Sequence, residues 1–315
     1  MDEIQRKVIF VGGTSYSGST FFHMMLGNDP AGLAVGELLY LFHPLQPHHV
    51  NRPCSCGDAG CDLWKQIQRS GESRLFESIF ELRPDVRFIV DSSKTAFWIG
   101  RHSEQLARAG IAAKHVLIWK SPEEIYASME RRGRAAGWEN VWINYHLLYF
   151  SMVPEFRAVP YSEFVRDPNV LRAVCEWTGI PNFEGKEQYW NRTHHIFGGN
   201  RTSRFHLYTD KAAKQQLQNT FDENRMQFHR QIYYSTPRAA DLRLRELLPA
   251  HKRERINQIL ETLLEHDVRA DTVPGSRPPT MPKALVLARR VKTRIGQAYG
   301  RWKLKNLHLG EAATS

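Results

Sequence analysis

The stretch Val11-Gly12-Gly13-Thr14-Ser15-Tyr16-Ser17-Gly18-Ser19-Thr20 constrains the fold more than any other part of this chain. It follows the apolar run Lys7-Val8-Ile9-Phe10-Val11, which reads as a buried strand. It precedes Phe21-Phe22-His23-Met24-Met25-Leu26, which reads as the start of a helix. Gly13 and Gly18 have the spacing of a phosphate-binding loop, G-x-x-x-x-G-K-[ST], but Ser19 stands where that pattern has lysine. In ATPases the lysine touches the β- and γ-phosphates and the following hydroxyl holds Mg²⁺. Without it, the loop still offers backbone N–H groups and the Ser19 and Thr20 hydroxyls at a helix N-terminus, which is enough to hold a phosphate. A nucleotide phosphate is expected, without ordinary metal-assisted ATP chemistry.

Further strand-like segments are Arg87–Val90, ending at Asp91-Ser92-Ser93-Lys94; Lys114–Trp119, ending at Lys120-Ser121-Pro122; and Phe156–Pro160, ending at Tyr161-Ser162. Helical patterns lie between them, as at Phe97–Ala109 and Glu123–Arg132. This alternation predicts an α/β fold: a P-loop-like parallel sheet flanked by helices, with a helical C-terminal region. Ligands of such sheets sit at the carboxyl ends of the strands, where the polar groups just named fall.

The strand signals fade after Phe205. Leu242–Leu264 reads as helical through Leu244, Leu247, Leu248, Ile256, Ile259, Leu260 and Leu263. The breakers Val273-Pro274-Gly275-Ser276-Arg277-Pro278-Pro279 read as a linker. Leu287, Val291, Ile295, Tyr299 and Trp302 then recur at helical spacing among Lys and Arg, a basic amphipathic helix. The organisation expected is a main domain over 1–272, a linker over 273–280 and the helix over 281–315. That helix suits docking on its own domain, self-association or a peripheral membrane contact.

The net charge of +10 suggests an anionic partner, but residues 281–315 hold eight Lys/Arg against Glu311 alone, so +7 of it sits in the tail. A generally basic nucleic-acid binder is therefore not expected. With 42% hydrophobic residues and no apolar run of about 18, the chain reads as globular without a membrane span. The charged N-terminus does not resemble a signal peptide, and a cytoplasmic location is expected. Cys54, Cys56 and Cys61 form C-x-C-x4-C beside His48 and His49. This reads as a plain structural loop, a redox loop or a structural zinc site, whose fourth ligand would be one of those histidines or Cys175.

Two lysines can supply the charge the loop lacks. Lys94 stands past the strand ending at Val90, on the same sheet edge as the loop. Lys120 ends another strand, before a helix whose start carries a capping box, with Ser121 as N-cap, Pro122 at N1 and Glu124 at N3. Lys120 and Ser128, two turns into that helix, suggest a second phosphate site, as a nucleotide with two anionic ends would need.

These residues together resemble the sulfotransferases that use 3′-phosphoadenosine 5′-phosphosulfate (PAPS), in particular bacterial members related to the carbohydrate and tyrosyl-protein branches. Ser17-Gly18-Ser19-Thr20 matches their 5′-phosphosulfate loop, S-G-[ST]-T. Lys120-Ser121-Pro122 with Ser128 resembles their 3′-phosphate motif, R-D-P followed by Ser at that distance. Gly36-Glu37 resembles the Gly-Glu that bears the catalytic base, and Asp91–Lys94 the segment bearing a lysine that stabilises the sulfuryl group. Val159–Val165, with Tyr161, resembles a Y-E-x-L segment near the nucleotide. His195–Arg204, with Asn200, resembles a late loop that closes over the donor. The resemblance covers roughly residues 7–205. Tyr16 departs from it where Arg or Lys is frequent, and Lys120 departs by losing the bidentate fork of Arg.

The resemblance implies in-line transfer of a sulfuryl group from PAPS to a hydroxyl, less readily an amine, of a glycan, glycolipid or small metabolite. 3′,5′-Adenosine bisphosphate would be the other product, and no catalytic metal would be needed. Glu37 would be the base, with His23 and His43 as alternatives, and Lys94 would stabilise the transferring group. Tyr16, Ser17, Gly18, Ser19, Thr20, Lys120, Ser128, Tyr161, Asn200 and Arg204 would hold the donor. The aromatic segment Trp138–His146 reads either as an acceptor wall or as the buried face of a helix. A small-molecule P-loop kinase, with Asp91 holding Mg²⁺, and a non-enzymatic anion-binding protein are the rival readings.

Overall fold

The computed structural model describes residues 6–50, 52–199, 244–271 and 277–312, the last eight of these by backbone alone. Among these residues five strands, β1 (Lys7–Gly12), β2 (Gly32–Gly36), β3 (Phe88–Lys94), β4 (Ala112–Trp119) and β5 (Arg157–Pro160), form one sheet in the order β2-β3-β1-β4-β5. Every pairing is parallel, as the alternating pattern predicts. β1 is central and apolar on both faces. Val8 and Phe10 enter one core cluster, Ile9 and Val11 the other. Such two-sided burial is what covering helices impose on a parallel sheet.

Two helical layers provide that cover. On one side lie α1 (Ser19–Leu26), α8 (Tyr161–Arg166) and α9 (Pro168–Thr178). On the other lie α3 (Leu63–Ser70), α4 (Leu75–Leu82), α5 (Ala96–Arg108), α7 (Trp138–Met152) and α10 (Ala250–Glu265), with the short α2 (Leu39–Phe42). α6 (Pro122–Glu130) follows β4 and opens on the expected capping box: Glu124 N–H donates to Ser121 Oγ at 3.2 Å, and Ser121 N–H to Glu124 Oε2 at 2.7 Å.

Three expectations change. β2, Gly-Leu-Ala-Val-Gly, carries too short an apolar run to stand out in the sequence. β3 runs through Asp91-Ser92-Ser93 to Lys94, because Gly12 and Gly36 on its neighbours pair with Lys94 and Asp91. The helix expected from Leu242 begins only at Ala250: Pro249 is its N-cap, and residues 244–247 form turns with Leu247 exposed. Its remaining apolar row is sound, with Ile256, Ile259 and Leu263 fully buried.

The C-terminal helix α11 (Lys283–Ala312) is present, but it touches the body with an unexpected face. Among its described positions Gly300 and Leu304 are buried, and Val286, Arg289, Thr293 and Gln297 are half-buried. The apolar row Leu287, Val291, Ile295, Tyr299, Trp302 points outward. No helix among the described residues is long and apolar enough to cross a membrane.

Candidate active site

The loop after β1 turns on glycine. Gly18 is the N-cap of α1 at φ +93°, and a Cβ there would lie 2.4 Å from ring carbons of Tyr161, so only glycine lets that ring close against the loop. Ser19 and Thr20 are buried at the head of α1. Ser17 Oγ is buried with no hydrogen-bond partner among the described residues. Tyr16 adopts φ +70° without being glycine, a strain of about 1 kcal/mol or more that persists only where the surroundings enforce it. Its hydroxyl accepts from Arg134 Nη1 at 3.0 Å, and the Arg132 guanidinium stands 4.3 Å from its ring centre. Two arginines from beyond α6 thus converge on the position where the sequence lacks a cation.

The second strained residue is Lys94, at φ +62° on the last position of β3. Its ammonium forms an ion pair with Glu37, which follows the last residue of β2. Both are half-buried. Burial pushes the Glu37 carboxyl up, but the Lys94 charge, the Lys94 hydrogen bond and the Gly199 N–H outweigh it and hold it below the usual range. Glu37 is therefore ionised at neutral pH. Its backbone is pinned as well: Glu37 N–H donates to Phe197 O at 2.6 Å, and Phe197 N–H to Val35 O at 2.8 Å. Gly36, at φ +82°, permits this approach, since a Cβ there would meet Phe197 O at 2.3 Å.

The alternative bases are less well placed. His23 is fully buried, Nδ1 faces Ser19 O at 3.1 Å, and burial lowers its pKa to about 3, so it is neutral. His43 spends Nε2 on Glu72 at 2.9 Å and Nδ1 on Arg301 at 3.0 Å. Asp91, the carboxylate a kinase would offer to Mg²⁺, is buried, accepts from Ser93 N–H at 2.7 Å and is pushed by burial to about 7.

The second cluster lies at the end of β4. Lys120 Nζ is 3.4 Å from Ser128 Oγ and 4.3 Å from the Tyr161 ring centre. Burial lowers the Lys120 pKa to about 8; Glu124 opposes this, while Arg131 and Arg132 add to it. Arg132 Nη1 donates to Ser128 O at 2.6 Å. Tyr161, touching both Gly18 and Lys120, joins the two clusters.

One helix ties the strand ends together. Gly13 N–H donates to the Tyr145 hydroxyl at 2.6 Å, and that hydroxyl donates to Lys94 O at 2.8 Å. Trp142 Nε1 donates to Lys120 O at 3.0 Å. The segment Trp138–His146 is thus chiefly the buried face of α7, with Trp138, Trp142, Ile143 and His146 in the core.

Solved structures share the fold of this chain. The sulfotransferase domain of the curacin biosynthetic pathway superposes with a TM-score of 0.52 over 82% of this chain and 98% of that one, at 14% identity. The chain has a sulfotransferase fold. The sulfotransferase domain of the Synechococcus PCC 7002 olefin synthase gives 0.50 over 84% of this chain and 97% of that one, at 15% identity. No family model and no curated protein matches the sequence.

On this sulfotransferase fold, Ser17, Gly18, Ser19, Thr20, Glu37 and Lys94 share one sheet edge, with Lys120, Ser128 and Tyr161 beside them. Asn200 and Arg204 lie outside the described residues. Tyr145, Arg132 and Arg134 escaped the sequence reading, since a tyrosine on an aromatic helix and arginines after a helix carry no motif.

The cysteine loop corrects an expectation. Cys54, Cys56 and Cys61 gather with His195, their ligand atoms all within 4.8 Å of one another. The expected fourth members lie elsewhere: Cys175 is buried in α9 in the opposite core cluster, and His49 packs on Tyr40 and His48. His195, which opens the segment likened to the loop over the donor, lies with the cysteines.

Proposed function

We propose that this chain is a PAPS-dependent sulfotransferase acting on a hydroxyl of a glycan, glycolipid or small metabolite. The observation that carries the reading is the Glu37–Lys94 ion pair beside a lysine-free phosphate loop at the carboxyl edge of a sulfotransferase fold. The residues fit the donor: buried Ser17 Oγ has a hydrogen bond to make, and two separate cationic clusters match its two anionic ends.

In this reading the N–H groups and hydroxyls of Ser17–Thr20 hold the 5′-phosphosulfate. Lys120 and Ser128 hold the 3′-phosphate, with Tyr161 beside them. The donor supplies an activated sulfuryl group; its sulfur–oxygen bond to phosphate breaks as a bond from sulfur to the acceptor oxygen forms. Glu37, ionised through Lys94, takes the acceptor proton. The Lys94 ammonium stabilises the negative charge on the transferring group and the leaving phosphate. Tyr145 keeps Lys94 and the loop in register.

Calorimetry with 3′,5′-adenosine bisphosphate, against ATP with and without Mg²⁺, tests this. Tight metal-independent bisphosphate binding that weakens on Lys120→Ala is expected. A preference for ATP with Mg²⁺, or no bisphosphate binding, would overturn the reading.

A further inference from the structure

We propose that Cys54, Cys56, Cys61 and His195 bind a structural zinc ion, and that this metal fixes the segment that holds Glu37 in place. Three thiolates and one imidazole form a complete ligand set for structural zinc, with no position left open for chemistry. Bonds of about 2.3 Å to sulfur and about 2.0 Å to nitrogen in a tetrahedron separate ligand atoms by roughly 3.5–3.8 Å. His195 Nδ1 lies 3.3 Å from Cys54 Sγ and 3.6 Å from Cys61 Sγ. One ring nitrogen facing two sulfurs suits a shared cation better than a hydrogen bond, which one N–H makes well only once.

The surroundings are built around the same point. Ser55, between two of the cysteines, accepts from Ile196 N–H at 2.8 Å and lies 3.3 Å from His194 O, so it grips the chain on both sides of His195. Cys54 and Cys61 pack against the main core, and Trp64, just beyond Cys61, meets Phe197 edge-on with ring centres 6.3 Å apart. All four ligands are half-buried, within reach of solvent metal.

The consequence follows from chain distance. Two residues past His195, Phe197 pairs with Gly36 and accepts the Glu37 N–H. Gly198 packs on Glu37, whose Cβ would lie 3.0 Å from a Cβ built there. Residues 54–61 otherwise have little secondary structure to hold this segment. A metal joining residue 195 to the cysteine loop supplies that restraint. The site rests on its own four residues, so loss of zinc binding and loss of bisphosphate binding are separate results.

The test is metal analysis of the full chain purified under reducing conditions, with Co²⁺ replacement read by absorption. About one zinc per chain is expected, with thiolate-to-cobalt charge-transfer bands and the intense visible bands of a tetrahedral site. His195→Ala should lose the metal or bind it at least tenfold more weakly, His195→Cys should keep it, and Cys175→Ser should leave it unchanged. Metal-free wild-type protein with titratable thiols or a disulfide would overturn the site, as would full affinity in His195→Ala. Hydrogen exchange after chelation reads the second half of the proposal. Faster exchange at residues 195–199 and at Glu37, with β1 and β4 still protected, is expected. Unchanged exchange there, or loss of protection throughout, would overturn the local role.

Discussion

Glu37 and Lys94 form an ion pair in a half-buried place, and the pair keeps the Glu37 carboxyl ionised there. Burial by itself raises the Glu37 pKa, and Lys94 brings it down. A base with a depressed pKa is fully ionised above the ordinary carboxylate range and is lost only as the pH falls through its own lower value. Lys94→Met should therefore cut the rate about 10²-fold or more and shift the acid limb of kcat/KM to higher pH, because burial then loses its strongest opposition. An acid limb that stays where it was would show that Lys94 does not set the charge of the base. Lys120 makes a second pH prediction. Burial lowers its pKa to about 8, so raising the pH past 8 removes the cation that, in the proposed reading, meets the 3′-phosphate. Bisphosphate affinity should fall above that point, by up to about tenfold per pH unit. In Lys120→Arg the guanidinium stays charged and the profile should be flat. Calorimetry from pH 7 to 10 decides between a titrating Lys120 and one already fixed by its neighbours.

At the scale of elements, α7 does what no motif announced. The Tyr145 hydroxyl accepts from the phosphate loop and donates to the end of β3, so it couples two strand ends through one oxygen. Tyr145→Phe leaves the Gly13 N–H and the Lys94 carbonyl each without that partner. A cost of about 1–3 kcal/mol in denaturant unfolding is expected, with weaker bisphosphate binding from a loosened loop. Unchanged stability and affinity would mean that the two strand ends hold their own geometry. The sequence shows why some parts were legible and this one was not. β1, β4 and α6 announce themselves through a continuous apolar run or a capping box, which are local signals. β2 is five residues with glycine at both ends, and its strand character comes from pairing with β3. The sequence puts Lys94 on the right edge but past the end of its strand, since only the register with Gly12 shows that β3 extends so far. The cysteine loop was readable as a set of three; its fourth member lies 134 residues past Cys61, a distance that no spacing rule spans.

At the scale of the whole molecule, the charge and the apolar surface fall together on α11. Residues 281–315 carry +7 of the net +10, and the row Leu287, Val291, Ile295, Tyr299, Trp302 is exposed along the helix. Among the described residues the face turned to the body is Val286, Arg289, Thr293, Gln297, Gly300 and Leu304, which is more polar. Arg290 over Phe97, at 5.6 Å, and Arg301 on His43 help hold it there. A helix that uses its weaker face on its own domain leaves its stronger one for something else. Basic residues flanking an apolar row with Tyr and Trp match an anionic lipid surface, where the row enters the acyl boundary and the cations meet headgroups. The full chain should therefore sediment with vesicles containing a quarter phosphatidylglycerol and not with phosphatidylcholine alone, and about 0.5 M salt should weaken the binding. Val291→Ser with Ile295→Ser should abolish it while leaving bisphosphate affinity intact, since both residues are exposed on the outward row of the helix. If the vesicles fail to bind and sedimentation instead shows a concentration-dependent dimer that the same double variant dissolves, the row is an interface between two copies and the lipid assignment falls.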